Sequence, residues 1–381
     1  MPIKIQSVDL YPIYDSSGGQ TLEAAVNGAT ASAPGGISTS AYEAKTVPIA
    51  MALKAFEKTK KELIGTFSQS SFDAKLEDLM PQLGAQATTA LSLAFYANEQ
   101  SLRAAAATYS PANTFPNLIG NVLGGGSHTP FKGGLSVQEI LIIPKSKTLP
   151  AAIETNFKIW REVGDALAKR GPCGLNYEAA WTADISDDAA LALVARIAKK
   201  ARAAIGIDIA ASQLYKSGEY VWSNQTLKRE SHIERVLELI KKYKLVYVED
   251  PVQQDDFSGF ATITAAVSGN ALICGDDLVA TNLERLKRAI REKAINALIV
   301  KPNQTGTVSA AVAVISHATK NKLVPVMSHR SRETSDTAVC TLAQLCPLAK
   351  FGVAGIRTAK LNGLLRLWRA AVKPKLAAPA F

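Results

Sequence analysis

The segment Ala297-Leu298-Ile299-Val300-Lys301 is a run of apolar residues that ends on a charged one. Similar runs recur every 25 to 41 residues in the second part of the chain, and each ends on a polar side chain. The residues at these ends are Asp208, Glu249, Asp276, Lys301 and His329. Helical patterns lie between the runs, near residues 257–267, 282–293, 307–321 and 334–346. A strand and a helix in each repeat predict an α/β fold with a parallel sheet.

The length of the repeating part favours a closed β/α barrel. Residues 116–381 approach the roughly 250 residues of such a barrel, and a doubly wound sheet is the alternative. The barrel is favoured because barrel active sites form at the carboxyl ends of strands, where the polar residues recur. Residues 1–115 carry strand patterns and then helical patterns. We therefore predict a small α+β domain over residues 1–115, followed by the barrel over residues 116–381.

The composition excludes several classes of protein. Hydrophobic residues make up 47% and charged residues 20% of the 381 residues, as in an ordinary globular protein. No window is apolar enough for a transmembrane helix, and the first residues lack the pattern of a signal peptide. The four cysteines are scattered, which fits a reducing compartment, so we expect a cytoplasmic protein. The net charge of +10 is spread over predicted helix faces and does not favour nucleic-acid binding.

The acidic strand ends predict a metal site. In a barrel, Asp208, Glu249 and Asp276 would converge on one point and repel one another. A hard divalent cation such as Mg²⁺, which prefers oxygen ligands, would relieve that repulsion. The alternative is three separate helix caps or salt bridges, and the three acids alone do not decide between the two.

The next two strand ends add a candidate base and a candidate anion site. Lys301 beside a metal could have a lowered pKa and act as a general base, whereas the alternative is a lysine in a simple salt bridge. His329 is followed by Arg330 and Ser331, a group suited to a phosphate, although a lone histidine can also be a core residue. Together these residues suggest proton abstraction beside a carboxylate.

Longer motifs surround these strand ends and extend beyond them. They are Asn121-Val122-Leu123-Gly124-Gly125-Gly126-Ser127-His128, Val137-Gln138-Glu139, Val248-Glu249-Asp250-Pro251, Gly275-Asp276-Asp277-Leu278, Leu298-Ile299-Val300-Lys301-Pro302-Asn303 and Ser328-His329-Arg330-Ser331. These segments resemble enolase motifs, and the resemblance runs from about residue 15 to 369. Enolase-superfamily sites are the established case of a Lys or His base with one or two Mg²⁺ ions that hold an ene-diolate. The resemblance implies a Mg²⁺-dependent phosphopyruvate hydratase, which interconverts 2-phosphoglycerate and phosphoenolpyruvate in glycolysis and gluconeogenesis.

The resemblance also implies a role for each matching residue. Lys301 would remove the C2 proton, and Glu178 would help the C3 hydroxide to leave, supported by Glu139. Two Mg²⁺ ions are implied, one held by Asp208, Glu249 and Asp276 and the second by Ser38. The implied substrate-side residues are His128, Gln138, His329, Arg330, Ser331 and a second active-site cation, for which Lys350 and Arg357 are the two candidates.

Departures from the enolase pattern leave alternatives open. The acidic, glycine-flanked sequence that enolases carry around Glu178 is replaced here by Tyr177 and alanines, and Arg332 stands where a small residue is usual. A related lyase acting on another phosphorylated or phosphonate acid is therefore one alternative, and a non-catalytic enolase-like binding protein is another. Glu23 and Arg366 match positions that pair across the enolase dimer, so we expect a homodimer.

Overall fold

The N-terminal part consists of strands packed against a long helix. The computed structural model describes residues 2–37, 39–105, 113–126, 129 and 134–378, without the side chains of residues 101–105. The elements here are β1 (Ile3–Ile5), β2 (Val8–Tyr14), β3 (Gln20–Val26), β4 (Ala29–Ser32), α1 (Ile49–Thr59), β5 (Gly65–Phe67), α2 (Gln69–Ala105) and β6 (Thr114–Phe115). Strands β2, β3 and β4 form an antiparallel sheet against which α2 packs.

Alternation along β3 explains this packing. Leu22, Ala24 and Val26 are buried, because every second residue of a strand points to the same face. The helix α2 bends at Gly84, whose φ is 73°. A side chain at Gly84 would meet the backbone nitrogen of Val47 at 2.7 Å, so the bend and the close approach both require glycine.

The remaining elements build the barrel and its surroundings. The strands are β7 (Asn117–Gly124), β8 (Glu139–Pro144), β9 (Cys173–Leu175), β10 (Trp181–Ala183), β11 (Ala203–Asp208), β12 (Tyr215–Lys216), β13 (Glu219–Val221), β14 (Thr226–Leu227), β15 (Tyr247–Glu249), β16 (Leu272–Gly275), β17 (Ala297–Val300), β18 (Val324–Ser328), β19 (Leu348–Lys350) and β20 (Lys375–Leu376). The helices are α3 (Leu149–Ala168), α4 (Asp187–Lys200), α5 (Ala211–Leu214), α6 (Arg229–Tyr243), α7 (Phe257–Val267), α8 (Leu283–Arg291), α9 (Pro302–Thr305), α10 (Val308–Lys320), α11 (Val339–Ala343) and α12 (Thr358–Ala370).

Eight strands close into a barrel, which confirms the predicted fold class over a doubly wound sheet. Their order is β7-β8-β11-β15-β16-β17-β18-β19, and β19 pairs with β7 to complete the ring. The neighbours are parallel except at β8, which runs antiparallel to both β7 and β11. The five runs from which parallel pairing was predicted are β11, β15, β16, β17 and β18, and they do pair in parallel; β8 lies outside them. The described part of the β7–β8 connection contains no α-helix, and parallel neighbours usually need a helical crossover.

The helices begin at the capping residues that their sequences offer. Ser186, Asn282 and Thr307 each accept a hydrogen bond from a backbone N–H in the first turn of the helix that follows. The predicted helix over 334–346 shrinks to α11, because Lys360 Nζ donates to the carbonyls of Thr334 and Asp336 and holds that stretch in a loop. Across the described ranges, no helix is both long and apolar enough to span a membrane.

Candidate active site

The alternation of side chains along the barrel strands brings the predicted site residues to one rim. Lys301 lies two residues after Ile299, and Lys350 two residues after Leu348, so the members of each pair point the same way. Both Ile299 and Leu348 belong to the apolar cluster that fills the barrel interior. The polar residue of each pair therefore covers the interior cluster at the carboxyl end of the strand.

Most of the predicted residues line one polar pocket at this rim. Its lining residues are Gln138, Glu139, Glu178, Asp208, Asp276, Lys301, Ser328, His329, Arg330, Ser331 and Lys350. Glu249 is buried beside the pocket, and its carboxylate forms a salt bridge with Lys350, which lines the pocket. Ser38 and His128 lie outside the described residues, so the structure says nothing about their predicted roles.

The ammonium group of Lys350 lies at the centre of an acidic cluster. Its Nζ is 3.0 Å from Glu139 Oε2, 3.0 Å from Asp208 Oδ2 and 2.9 Å from Glu249 Oε1. Burial alone would lower the pKa of Lys350, but the surrounding carboxylates outweigh it and raise that pKa well above its usual value. This position favours Lys350 over Arg357 as the second cation of the pocket.

Lys301 forms a partly buried ion pair with Asp276. Burial opposes the charge of Lys301, but the Asp276 carboxylate is stronger and raises the pKa of the lysine above its ordinary value. The raised pKa belongs to the direct pairing with Asp276, and the lowered pKa expected for a lysine beside a bound metal stays a prediction.

The acidic residues fit a divalent cation. Asp208 and Glu249 each direct one oxygen at the same ammonium group, and Asp276 directs one at Lys301, so these carboxylates already surround positive charge. All the donors are carboxylate oxygens, which Mg²⁺ prefers. Burial and the nearby Asp208 raise the pKa of Glu249 to about 8, as expected for carboxylates that are buried close together.

Asp250 braces two strand ends behind these acids. Its carboxylate oxygens accept hydrogen bonds from the backbone N–H groups of Asp276 (3.0 Å) and Asp277 (2.8 Å). Asp250, Asp276 and Asp277 also have carboxylate oxygens within 4.8 Å of one another. The backbone bonds of Asp250 indicate a structural role, in which it fixes the loop that presents Asp276.

Glu178 lies in the turn of the β9–β10 hairpin, which pairs with β7 outside the ring of barrel strands. Its Oε2 accepts a hydrogen bond of 2.9 Å from Asn121 Nδ2 and is 3.8 Å from His329 Nε2. Burial, followed by the Glu178 charge, raises the pKa of Glu139 well above its usual value. The two glutamates thus form a buried pair that favours a bound proton.

The predicted phosphate-binding residues contact the N-terminal part of the chain. Arg330 NH1 is 2.9 Å from Glu43 Oε2, and Ser331 Oγ accepts a hydrogen bond of 2.8 Å from the backbone of Ile37. Burial, with help from Arg357, lowers the pKa of His329 to about 4, so its ring is neutral near pH 7. This neutral ring can donate to or accept from a bound anion without adding charge.

Comparison with known proteins decides the family. Residues 112–373 match the family described as "Enolase, C-terminal TIM barrel domain". Proteins named enolase from Natronomonas pharaonis and Methanocorpusculum labreanum are 37% identical to this chain, over 95% and 96% of it and 98% of each relative. The enolase of Picrophilus torridus is 34% identical over 96% of the chain and 99% of that protein.

The chain belongs to the enolase family. This membership confirms the predicted family and enzyme class, a phosphopyruvate hydratase, since the identities hold over nearly the whole chain. Similarity to enolases also agrees with the closed barrel and the strand-rich N-terminal part.

Two contacts behind the pocket of this enolase-family chain are not indicated by the sequence. Asn121 lies inside the motif 121–128, but nothing in that motif predicts its hydrogen bond to Glu178. Arg357, a candidate for the second pocket cation, is fully buried and donates to the carbonyls of Tyr177 (3.1 Å), Arg330 (2.9 Å) and Ser331 (3.0 Å). Arg357 therefore ties the Glu178 hairpin to the 330–331 segment.

Proposed function

We propose that this chain reversibly dehydrates 2-phosphoglycerate to phosphoenolpyruvate, with Mg²⁺ as cofactor. The observation that carries the proposal is a single buried rim that combines a lysine, a pair of glutamates and three further carboxylates. These are the groups that proton abstraction beside a carboxylate requires.

The acid and the base approach the pocket from different sides. Lys301 follows β17, whereas Glu178 belongs to the hairpin beside β7, and β18 and β19 separate these strands around the ring. Lys301, in its neutral amine form, would take the proton from C2 of the substrate. Glu178 would give a proton to the departing C3 hydroxide, and Glu139 keeps a proton available within the glutamate pair.

The charged rim would orient the substrate. Arg330, Ser331 and His329 would bind the phosphate, and Arg330 would exchange its Glu43 partner for it. Asp208, Glu249 and Asp276 would hold one Mg²⁺, and Ser38 would contribute to a second. Bound Mg²⁺ supplies positive charge that stabilises the carboxylate of the enolate.

Steady-state turnover of 2-phosphoglycerate, followed by the ultraviolet absorbance of phosphoenolpyruvate, tests the proposal. We expect Mg²⁺-dependent turnover that stops in EDTA and is lost in Lys301→Ala. Lys287→Ala is the matched control, because Lys287 lies away from the pocket in an exposed pair with Glu284 on α8. Full activity of Lys301→Ala would contradict the role of this lysine. If the protein turns over another phosphorylated or phosphonate acid but not 2-phosphoglycerate, that acid would replace 2-phosphoglycerate as the proposed substrate.

The proposal extends to the assembly and location of the chain. Glu23 on β3 is half-buried and Arg366 on α12 is exposed. We place them at a homodimer interface. Sedimentation analysis of Glu23→Arg should then show monomers, and the double variant with Arg366→Glu should restore dimers. All four cysteines are free thiols, which supports a cytoplasmic location.

A further inference from the structure

Tyr247 is a fully buried tyrosine in the interior of the barrel. Its neighbours there are apolar or nearly so, and include Ile119, Leu141, Ile299 and Val326. The hydroxyl of Tyr247 donates a hydrogen bond of 2.6 Å to Glu249 Oε2. Because Tyr247 and Glu249 are two residues apart on β15, the phenol approaches the carboxylate from directly below.

This hydrogen bond gives the two carboxylate oxygens of Glu249 different partners. Oε2 is directed into the barrel and is occupied by the phenol. Oε1 faces the pocket, where it lies 2.9 Å from the ammonium nitrogen of Lys350. A cation in the pocket therefore meets only one of the two oxygens.

The position of the phenol is fixed by close packing. A side chain at Gly206, on the neighbouring strand β11, would lie 2.8 Å from Cβ and 3.2 Å from Cδ1 of Tyr247. The missing side chain leaves room for the Tyr247 ring, and the dense interior prevents the ring from shifting. Glu249 therefore cannot rotate to present both oxygens without breaking its bond to Tyr247.

We propose that Tyr247 is a positioning residue that makes Glu249 a one-oxygen ligand and thereby favours Mg²⁺ over Ca²⁺. Mg²⁺ requires compact octahedral coordination, whereas the larger Ca²⁺ readily takes carboxylates through both oxygens. A carboxylate limited to one oxygen suits the first ion better than the second. This inference rests on the proposed function, in which Glu249 holds the metal.

Calorimetric titration of the substrate-free protein with Mg²⁺ and with Ca²⁺ tests the inference. In Tyr247→Phe we expect the Mg²⁺ dissociation constant to rise about ten-fold and the Ca²⁺ constant to rise by less than about three-fold, as for loss of an outer-shell hydrogen bond. Preference for Mg²⁺ over Ca²⁺ should therefore fall. Tyr243→Phe is the matched control, because Tyr243 donates to the Asp188 carboxylate (2.8 Å) on the outer side of the barrel.

The outcomes of this experiment distinguish a failure of the inference from a failure of the proposed function. Wild-type protein that binds no Mg²⁺ overturns both. If the wild type binds Mg²⁺ and folded Tyr247→Phe prefers Mg²⁺ over Ca²⁺ to the same degree, only the role of Tyr247 is overturned. If circular dichroism shows that Tyr247→Phe is unfolded, wild-type protein labelled with 3-fluorotyrosine replaces it. The fluorine resonance of Tyr247 should then shift more on addition of Ca²⁺ than of Mg²⁺, because Ca²⁺ can bind both oxygens of Glu249 only by disturbing the hydrogen bond from the phenol. Equal shifts with the two ions would overturn the inference.

Discussion

Asn121 Nδ2 donates a hydrogen bond of 2.9 Å to Oε2 of Glu178. This bond joins the first barrel strand to the hairpin that carries the proposed acid. Both residues are buried, so water does not screen the electrostatic effect of a substitution at either one. The position of Glu178 thus depends on a residue that lies 57 positions earlier in the chain.

Replacement of Asn121 by aspartate should reduce kcat at least about a hundred-fold, the range usual for loss of general acid catalysis. A carboxylate in place of the amide would repel Glu178 and remove its hydrogen-bond donor. Steady-state kinetics check this, with Asn117→Asp as control, because Asn117 lies on the same strand but donates to Ala377. Wild-type kcat in Asn121→Asp would show that Glu178 does not depend on this bond.

Lys350→Met should make stability depend strongly on metal. Without the ammonium group, Glu139, Asp208 and Glu249 are buried together without their shared cation, and loss of one partner from such a cluster costs about 3–5 kcal/mol. We expect a large fall in the free energy of unfolding in EDTA and partial recovery in Mg²⁺. Urea denaturation under both conditions measures it.

Lys360→Met is the control for this prediction. Lys360 is also buried and pairs with Glu333 at 3.0 Å, but it does not line the acidic pocket. Its replacement should destabilise the protein equally with and without Mg²⁺. Equal responses of Lys350→Met and Lys360→Met to Mg²⁺ would contradict a metal at the pocket carboxylates.

His232 should make the protein less stable in mild acid. Trp222 Nε1 lies 3.1 Å from Nδ1 of His232, and Nε2 lies 2.7 Å from the Pro251 carbonyl, so the ring is held neutral. Burial lowers the pKa of His232 to about 4. The unfolded chain, with an ordinary histidine pKa near 6.5, therefore binds more protons between pH 6.5 and 4, and stability falls as the pH drops through that range.

The expected contribution is at most about 3 kcal/mol, since one pKa unit corresponds to about 1.4 kcal/mol. Free energies of unfolding measured from pH 7 to pH 4 should fall less steeply in His232→Gln than in the wild type. Parallel curves for the two proteins would show that His232 does not titrate differently in the folded state.

Ala179→Gly should stabilise the turn that carries Glu178. Ala179 has a φ of 56°, a left-handed conformation that costs an L-residue about 1–2 kcal/mol and costs glycine little. After the greater flexibility of unfolded glycine is subtracted, we expect a gain of up to about 1 kcal/mol. Ala180→Gly, at a buried position without positive φ, should instead reduce stability in the same urea measurement.

Much of the fold and of the site was predictable because its signals are local. Apolar runs that end on Asp208, Glu249, Asp276 and Lys301 specify strands by their composition and period, and the carboxyl ends of barrel strands meet at one rim. The convergence of these residues follows from strand direction alone, so it needed no knowledge of long-range contacts.

The sequence by itself thus determined the barrel, its polar rim and the identity of the lysine and carboxylates there. Only the tertiary structure decided that β8 runs antiparallel, that Lys350 rather than Arg357 enters the pocket, and that Tyr247 holds one oxygen of Glu249. These features depend on which side chains meet across distant strands and loops. Local periodicity carries no information about such partners, because each one is fixed by packing around the closed ring.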